Sequence, residues 1–239
     1  NLVSNVKMVA HLAEFTEAAR ALSFLPLSHV FERMADFSYM ACGASISYCP
    51  AVDKVMEYVG EVKPTVVASV PRLYEKIYDR ILEGAKAGSP IKQKIFAFAM
   101  GVGKEVAALE LKGQTPGFVL GLQHKIADKL VFSKIRERTG GRIRFFISGG
   151  APLSREIAEF FHAVGIKILE GYGLTETSPV LTLNTLTAFR PGTVGKPLFG
   201  VEVKIAPDGE IIARGPNIMK GYYNHPEWTA EVMKDGWFL

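Results

Sequence analysis

The residues able to do chemistry crowd into two short stretches, Ser148-Gly149-Gly150-Ala151-Pro152 and Glu170-Gly171-Tyr172-Gly173-Leu174-Thr175-Glu176-Thr177. Neither Gly149 nor Gly150 carries a Cβ, so their backbone N–H groups can be exposed and a flat ligand can approach closely. Tyr172, with glycine on both sides, can present its ring as a stacking surface with unobstructed edges. The Thr175 hydroxyl can donate to a phosphate oxygen, and Glu176 can hold a magnesium ion that screens phosphate charge. Together these residues point to a nucleoside triphosphate site. The Gly149-Gly150 pair alone fits a simple turn equally well.

The elements that must position them can be read around both stretches. Ile143 to Ile147 is a short apolar run rich in β-formers that empties into the glycine turn. Leu153, Ile157, Phe160, Phe161 and Val164 then fall on one helical face, and Gly165 stops that helix. Ile166 to Leu169 reads as a second strand, followed by Glu170 to Thr177 as a polar loop. Strand, turn, helix, strand and loop in this order predict an α/β fold with mostly parallel strands flanked by helices. Ligands of such sheets bind beyond the carboxyl ends of the strands, where both stretches lie.

Upstream, Leu2, Val6, Val9, Ala10, Ala13 and Ala18 are compatible with an opening helix, and Ala21 to Leu25 with a strand ending at Pro26. Pro26 to Arg33 reads as a loop entering a helix, with Ser28 a candidate N-cap. His29 and Phe31 fall near the carboxyl end of that strand, where a lone histidine reads as packing or capping before catalysis. Gly43 precedes a strand over Ala44 to Tyr48, and Val52 to Val59 fits a short helix. Thr65 to Val70 is a strongly β-branched strand, and Pro71 sits in the favoured first turn of the next helix. Arg72 suits that helix's surface as well as the cleft. Glu83 to Pro90 reads as a flexible connector. A long amphipathic helix follows from Ile91 to Leu109, and Leu122, Ile126 and Leu130 mark another after the Gly113 to Gly117 break. This region holds no chemistry-bearing cluster and reads as core, with contact to lipid or an acyl chain as the lesser reading.

Beyond the central unit, Asn184 to Phe199 is rich in turns. Val201 to Ile205 and Glu210 to Ala213 flank Pro207-Asp208-Gly209 and predict an antiparallel hairpin. The expected organisation is an α/β portion over 1–183, with a helical insert near 84–140, and a β-rich subdomain portion over 184–239. Gly221-Tyr222-Tyr223 and Trp228 read as packing residues in an irregular or short-helical tail.

Composition narrows the function classes. Hydrophobic residues make up 48% and charged residues 22%, in the range of ordinary globular chains with an ample core. A formal charge of +4, dispersed along 239 residues, argues against a nucleic-acid partner. Cys42 and Cys49 sit in no metal-ligand pattern, so a reducing compartment is expected. There is no apolar run fit to span a bilayer and no secretory signal, which gives a cytoplasmic expectation with peripheral membrane contact left open.

The combination of SGGAPL at Ser148 to Leu153, EGYGLTETSP at Glu170 to Pro179, RPGTVGKP at Arg190 to Pro197 and GEIIARGPNIMKGYY at Gly209 to Tyr223 resembles the adenylate-forming acyl-CoA synthetases. FLPLSHVFER at Phe24 to Arg33 and VPRLYEKI at Val70 to Ile77 resemble the long-chain fatty acid–CoA ligase branch. The motifs stand in family order over essentially the whole chain.

The resemblance implies that Gly149, Gly150 and Ala151 line an adenine pocket, and that Tyr172 stacks on the base within the nucleotide-binding run Glu170, Gly171, Tyr172 and Gly173. It also implies that Thr175 contacts the phosphates, that Glu176 binds Mg2+, and that His29 lies by the acyl and phosphate side; Thr175, Glu176 and His29 are thus the catalytic candidates. The implied ligands are ATP or AMP, Mg2+, coenzyme A and a fatty acid. Family members carry a phosphate loop before the segment matching Asn1, and a ribose-binding carboxylate and a catalytic lysine after the segment matching Phe238. The chain is therefore expected to be a piece of the large N-terminal domain with little catalysis alone. A ligase for medium-chain or aryl acids, a luciferase-like oxygenase and a non-catalytic nucleotide-binding homologue are the alternatives. Chain-length preference and oligomeric state have no signature here.

Overall fold

The computed structural model describes residues 1–12 and 15–239. Its helices are α1 Leu2–Leu12, α2 Val30–Ala41, α3 Val55–Val62, α4 Pro71–Lys86, α5 Pro90–Leu111, α6 Phe118–Ala127, α7 Ser133–Arg138, α8 Arg155–Ala163 and α9 Pro226–Val232. A π-helical turn, Asp128–Phe132, joins α6 to α7. The strands are β1 Arg20–Ser23, β2 Ser45–Tyr48, β3 Val66–Ser69, β4 Phe145–Ser148, β5 Lys167–Gly173, β6 Val180–Leu183, β7 Lys196–Pro197, β8 Glu202–Ile205, β9 Ile211–Arg214, β10 Met233–Lys234 and β11 Trp237–Phe238.

Seven strands form one sheet in the order β2-β1-β3-β4-β5-β6-β7, and four form a second in the order β10-β11-β9-β8. From β2 to β5 the large sheet is parallel, as the alternation of strands and helices predicts; β6 and β7 complete it antiparallel. The boundary expected at 183/184 falls between β6 and β7.

Side chains of a strand alternate between the two faces of the sheet. Leu22, Val67, Phe146 and Ile168 accordingly join one buried cluster, with Val55 and Val59 of α3, Tyr74, Ile77 and Ile81 of α4, and Ile157, Phe160 and Phe161 of α8. Their neighbours Ala21, Val66, Ala68, Phe145, Ile147 and Leu169 join the opposite cluster with Val6 and Val9 of α1 and Phe31, Met34, Ala35 and Tyr39 of α2. Ala213 of β9 and Phe238 of β11 pack into this second cluster, so the small sheet shares a core with the large one.

The register sets the floor of the site. Ser69 lies opposite Ser148, and Ser148 opposite Glu170, which aligns the carboxyl ends of β3 and β4 with Glu170 of β5, three residues before that strand ends at Gly173.

Several expectations need correction. The expected polar loop at Glu170 to Gly173 is strand: β5 continues through Gly173 because β6 turns back and pairs with it, Tyr172 against Thr182. The N-cap of α2 is His29, whose Nδ1 accepts the Phe31 N–H at 3.2 Å, in place of Ser28. Ala18 lies in a turn beyond α1, and Ala13 lies outside the described residues. The helix expected from Val52 opens with a 3-10 turn over Val52–Lys54 before α3. The connector at Glu83 to Pro90 shrinks to three residues between α4 and α5, where the Gln93 amide donates to Lys86 O and Gly88 O and ties the two helices together. Tyr223 is exposed and does not pack, whereas Trp228, half-exposed, stacks on His225 with ring centroids 3.8 Å apart; the tail forms α9 and a short β10–β11 hairpin.

Candidate functional site

A cavity of about 220 Å³ opens at the carboxyl ends of β3 and β4, between the first turns of α2 and the β5–β6 hairpin. His29 and Phe31, Gly149 and Gly150, and Gly171, Tyr172, Gly173 and Thr175 all line it. Ala151, Glu170 and Glu176 do not. The structure thus gathers seven of the ten sequence-predicted site residues around this cavity and leaves three outside its lining.

Local chemistry explains why the wall has this shape. Gly149 donates its N–H to Ser69 O at 3.2 Å, holding the turn against β3, and a Cβ there would come within 3.2 Å of the Phe31 ring. Gly150 takes φ +79°, a conformation that glycine adopts without penalty. A Cβ on Gly173 would overlap the Pro179 carbonyl, so only glycine allows the chain to fold back there.

Between β5 and β6, a 3-10 turn over Thr175–Thr177 projects toward the cavity mouth. Leu174 N–H donates to Thr177 Oγ1 at 2.9 Å and to Pro179 O at 3.1 Å, closing the loop. Two buried asparagines clamp it from outside. Asn217 Nδ2 donates to Thr177 O at 2.8 Å, and Asn5 Nδ2 donates to Val180 O at 2.7 Å. Thr175 itself is exposed, with its hydroxyl free of hydrogen bonds among the described residues.

Glu176 is held from the small-sheet side. Its backbone oxygen accepts Met219 N–H at 2.7 Å, and its Oε1 accepts the Tyr222 hydroxyl at 3.0 Å. The second carboxylate oxygen accepts no hydrogen bond among the described residues. No group of three or more His, Cys, Asp or Glu able to hold a metal occurs among those residues. A single carboxylate with one oxygen uncommitted nevertheless fits Mg2+, which is usually held by one or two carboxylates together with substrate phosphates and water.

Glu170 does something else. It is buried, and its Oε1 accepts the Gly192 N–H at 2.9 Å, which fastens the Arg190 to Gly195 loop to the end of β5. Burial raises its pKa, opposed by the Gly192 hydrogen bond.

A polar cluster that sequence reading did not single out lies below the His29 and Phe31 turn. Glu32 is 1% exposed; its Oε1 accepts the Ser23 hydroxyl at 2.5 Å and Phe24 N–H at 3.2 Å, and its Oε2 has no partner. Burial, with the neighbouring Asp36 charge adding to it, pushes this carboxyl up to about 7. Asp36 is raised by burial too, and Tyr39 well beyond the ordinary phenol range. The spacing of Glu32, Asp36 and Tyr39 on one face of α2 was the available signal. The partners of Glu176, Thr177 and Val180, at Tyr222, Asn217 and Asn5, had none.

A family model described as AMP-binding enzyme matches residues 1–223. The long-chain-fatty-acid–CoA ligase FadD15 of Mycobacterium bovis is 35% identical over 240 residues, covering 100% of this chain and 40% of that protein. The peroxisomal long chain acyl-CoA synthetase 7 of Arabidopsis thaliana is 36% identical over 254 residues, covering 99% of this chain and 35% of its own length. Among solved structures, ATP-bound MatB from Rhodopseudomonas palustris aligns with a TM-score of 0.69 at 25% identity, over 100% of this chain and 40% of that one. The N-terminal domain of FACL13 from Mycobacterium tuberculosis aligns at 0.67 and 21% identity, over 99% of this chain and 50% of that chain, a likeness of fold. The chain thus spans well under half the length of the curated relatives it matches.

Proposed function

Because the chain belongs to the AMP-binding enzyme family, we propose that the protein containing it uses ATP to activate a long-chain fatty acid as an acyl-adenylate and passes the acyl group to coenzyme A. The observation that carries the reading is the convergence of Tyr172, Thr175, the Gly149-Gly150 turn and His29 on one cavity at the carboxyl end of the parallel sheet. Such a position is where ligands of open α/β sheets bind.

In this reading the adenine lies between the Tyr172 ring and the Gly149-Gly150 backbone, where no Cβ intervenes. Thr175 donates its hydroxyl to a phosphate oxygen. Glu176, oriented by Tyr222, would hold Mg2+ beside the phosphates, and the ion supplies neutralisation of the charge that develops on them. The fatty carboxylate approaches from the side of His29 and Phe31. Its oxygen attacks the α-phosphorus, the bond from that phosphorus to the bridging oxygen breaks, and pyrophosphate leaves. The thiolate of coenzyme A then adds to the acyl carbon and the bond to AMP breaks. The first step trades a poor leaving group for a good one, and the Thr175 hydroxyl offsets part of its charge cost. The long-chain assignment draws support from the two motifs at Phe24 to Arg33 and Val70 to Ile77, and from relatives that carry that name.

Acid-dependent ATP–pyrophosphate exchange by the whole protein tests this, with acetate, octanoate, benzoate and palmitate supplied in turn. Exchange is expected to be greatest with palmitate. Preference for octanoate or benzoate would replace the substrate, and no exchange with any acid would refute the adenylation reading.

A further inference from the structure

Charge is distributed unevenly over this chain. Residues 84–140 hold ten Lys and Arg against four Asp and Glu, whereas the whole chain holds 28 against 24. The positive excess therefore resides entirely in the segment of α5, α6, the π turn and α7, away from the nucleotide cavity.

The same segment exposes an apolar stripe. Phe118 is 88% exposed, and Leu122, Ile126 and Leu130 follow it at four-residue intervals, each at least 44% exposed. Lys125 and Lys129 flank the stripe, and both are exposed. The rest of this chain leaves these four large side chains uncovered along one helical face, a contiguous apolar patch of the kind that marks an interaction surface.

Leu130 also forms part of a second feature, a groove of about 600 Å³ between the end of α4, the start of α5 and α7. Its floor is apolar, with Ile81, Ile95 and Phe96, and its rim carries Lys92, Lys134 and Arg138 and no acidic residue. None of these three cations forms an ion pair among the described residues. A groove with a cationic rim and an apolar floor, continuous with an exposed apolar stripe, matches a molecule with an anionic head and a hydrocarbon body.

We propose that residues 84–140 form a docking surface for an anionic lipid bilayer. The groove takes a phosphate-bearing headgroup between Lys92, Lys134 and Arg138, and the stripe from Phe118 to Leu130 enters the boundary between headgroups and acyl chains. Either attraction alone is weak, and the two together give reversible binding, as in other interfacial amphipathic helices. No helix of the described residues is long and apolar enough to cross a membrane, so the contact is one of surface.

Co-sedimentation of the whole protein with vesicles tests the proposal, comparing pure phosphatidylcholine with phosphatidylcholine containing about one-third phosphatidylglycerol. Binding is expected only to the anionic vesicles and is expected to fall with added salt. Replacing Lys92, Lys134 and Arg138 together with alanine should weaken it about a hundredfold, since each cation contributes about fivefold. Phe118→Ser, at a position too exposed to threaten folding, should weaken it about tenfold. Pyrophosphate exchange with an acid presented in solution should be unchanged in both variants. Equal binding to neutral vesicles, binding unaffected by either variant, or no binding at all would overturn the proposal. Displacement by millimolar inorganic phosphate at constant ionic strength would assign the groove to a free anion and also overturn it, as would a dimer in solution that Phe118→Ser dissociates.

Discussion

Replacing Glu32 with glutamine probes the least expected feature of the structure. The carboxyl is buried beneath the turn that carries His29 and Phe31, receives the Ser23 hydroxyl and Phe24 N–H on one oxygen, and has no partner for the other. Burial first, and the Asp36 charge after it, push it up to about 7 from an ordinary 4.5. A group that holds its proton more tightly folded than unfolded stabilises the native state below its unfolded pKa, and that stability is lost as pH rises through the folded value. For these two values the loss between pH 5 and pH 8 is about 2.5 kcal/mol. Glutamine keeps the size and an acceptor for Ser23 and Phe24 but cannot ionise. Urea unfolding followed by circular dichroism, on the parent protein and Glu32→Gln at pH 5 and pH 8, isolates this contribution, because other titrating groups are common to both proteins. The stability of Glu32→Gln relative to the parent is expected to improve by about 2.5 kcal/mol from pH 5 to pH 8. A difference that stays the same at both pH values would show that Glu32 is already ionised in the folded protein.

The site assignments carry their own consequences. Tyr172→Ala should weaken ATP binding roughly tenfold to a hundredfold, the range of a lost base–aromatic stack, with circular dichroism unchanged; calorimetric titration of the whole protein checks it, and an unaltered affinity would remove Tyr172 from the adenine. Tyr222→Phe deletes one hydrogen bond to the Glu176 carboxylate, a bond to a charged group worth about 1.5 kcal/mol, and should slow pyrophosphate exchange about tenfold at saturating Mg2+ while lowering stability by no more than that amount. Glu176→Ala should cost more in the same assay than Tyr222→Phe, and an equal loss of exchange and of folding would make Glu176 a structural residue.

Much of the fold was legible because local signals agreed with the global arrangement. The β-branched run at Thr65 to Val70 is β3, Pro71 opens α4, and the turn at Pro207 to Gly209 joins an antiparallel pair. Most of the failures come from partners distant in sequence, and one is a local choice. Gly171-Tyr172-Gly173 has little strand propensity of its own and is strand because β6 pairs with it. His29 caps α2 in place of Ser28, a choice between adjacent residues that composition does not make. The β10–β11 hairpin is held through Phe238, which pairs with Ala213 of β9.

The site divides the same way. Tyr172, Thr175 and the glycine turn announced themselves as residue types in a telling order, and the structure brings them to one cavity. Glu170 looked like their companion, yet its carboxylate is spent on Gly192, twenty-two positions away. Glu32 drew no reading of its own, because nothing near it in sequence reveals that Ser23 faces it across a buried layer.

The most direct test of nucleotide binding at this cavity is a crystal structure of the whole protein with a non-hydrolysable ATP analogue and Mg2+. The expected result is an adenine ring stacked on Tyr172 beside Gly149 and Gly150, with phosphate oxygens within hydrogen-bond reach of the Thr175 hydroxyl and the metal at the uncommitted oxygen of Glu176. Nucleotide bound elsewhere, with Tyr172 and Thr175 untouched, would contradict it.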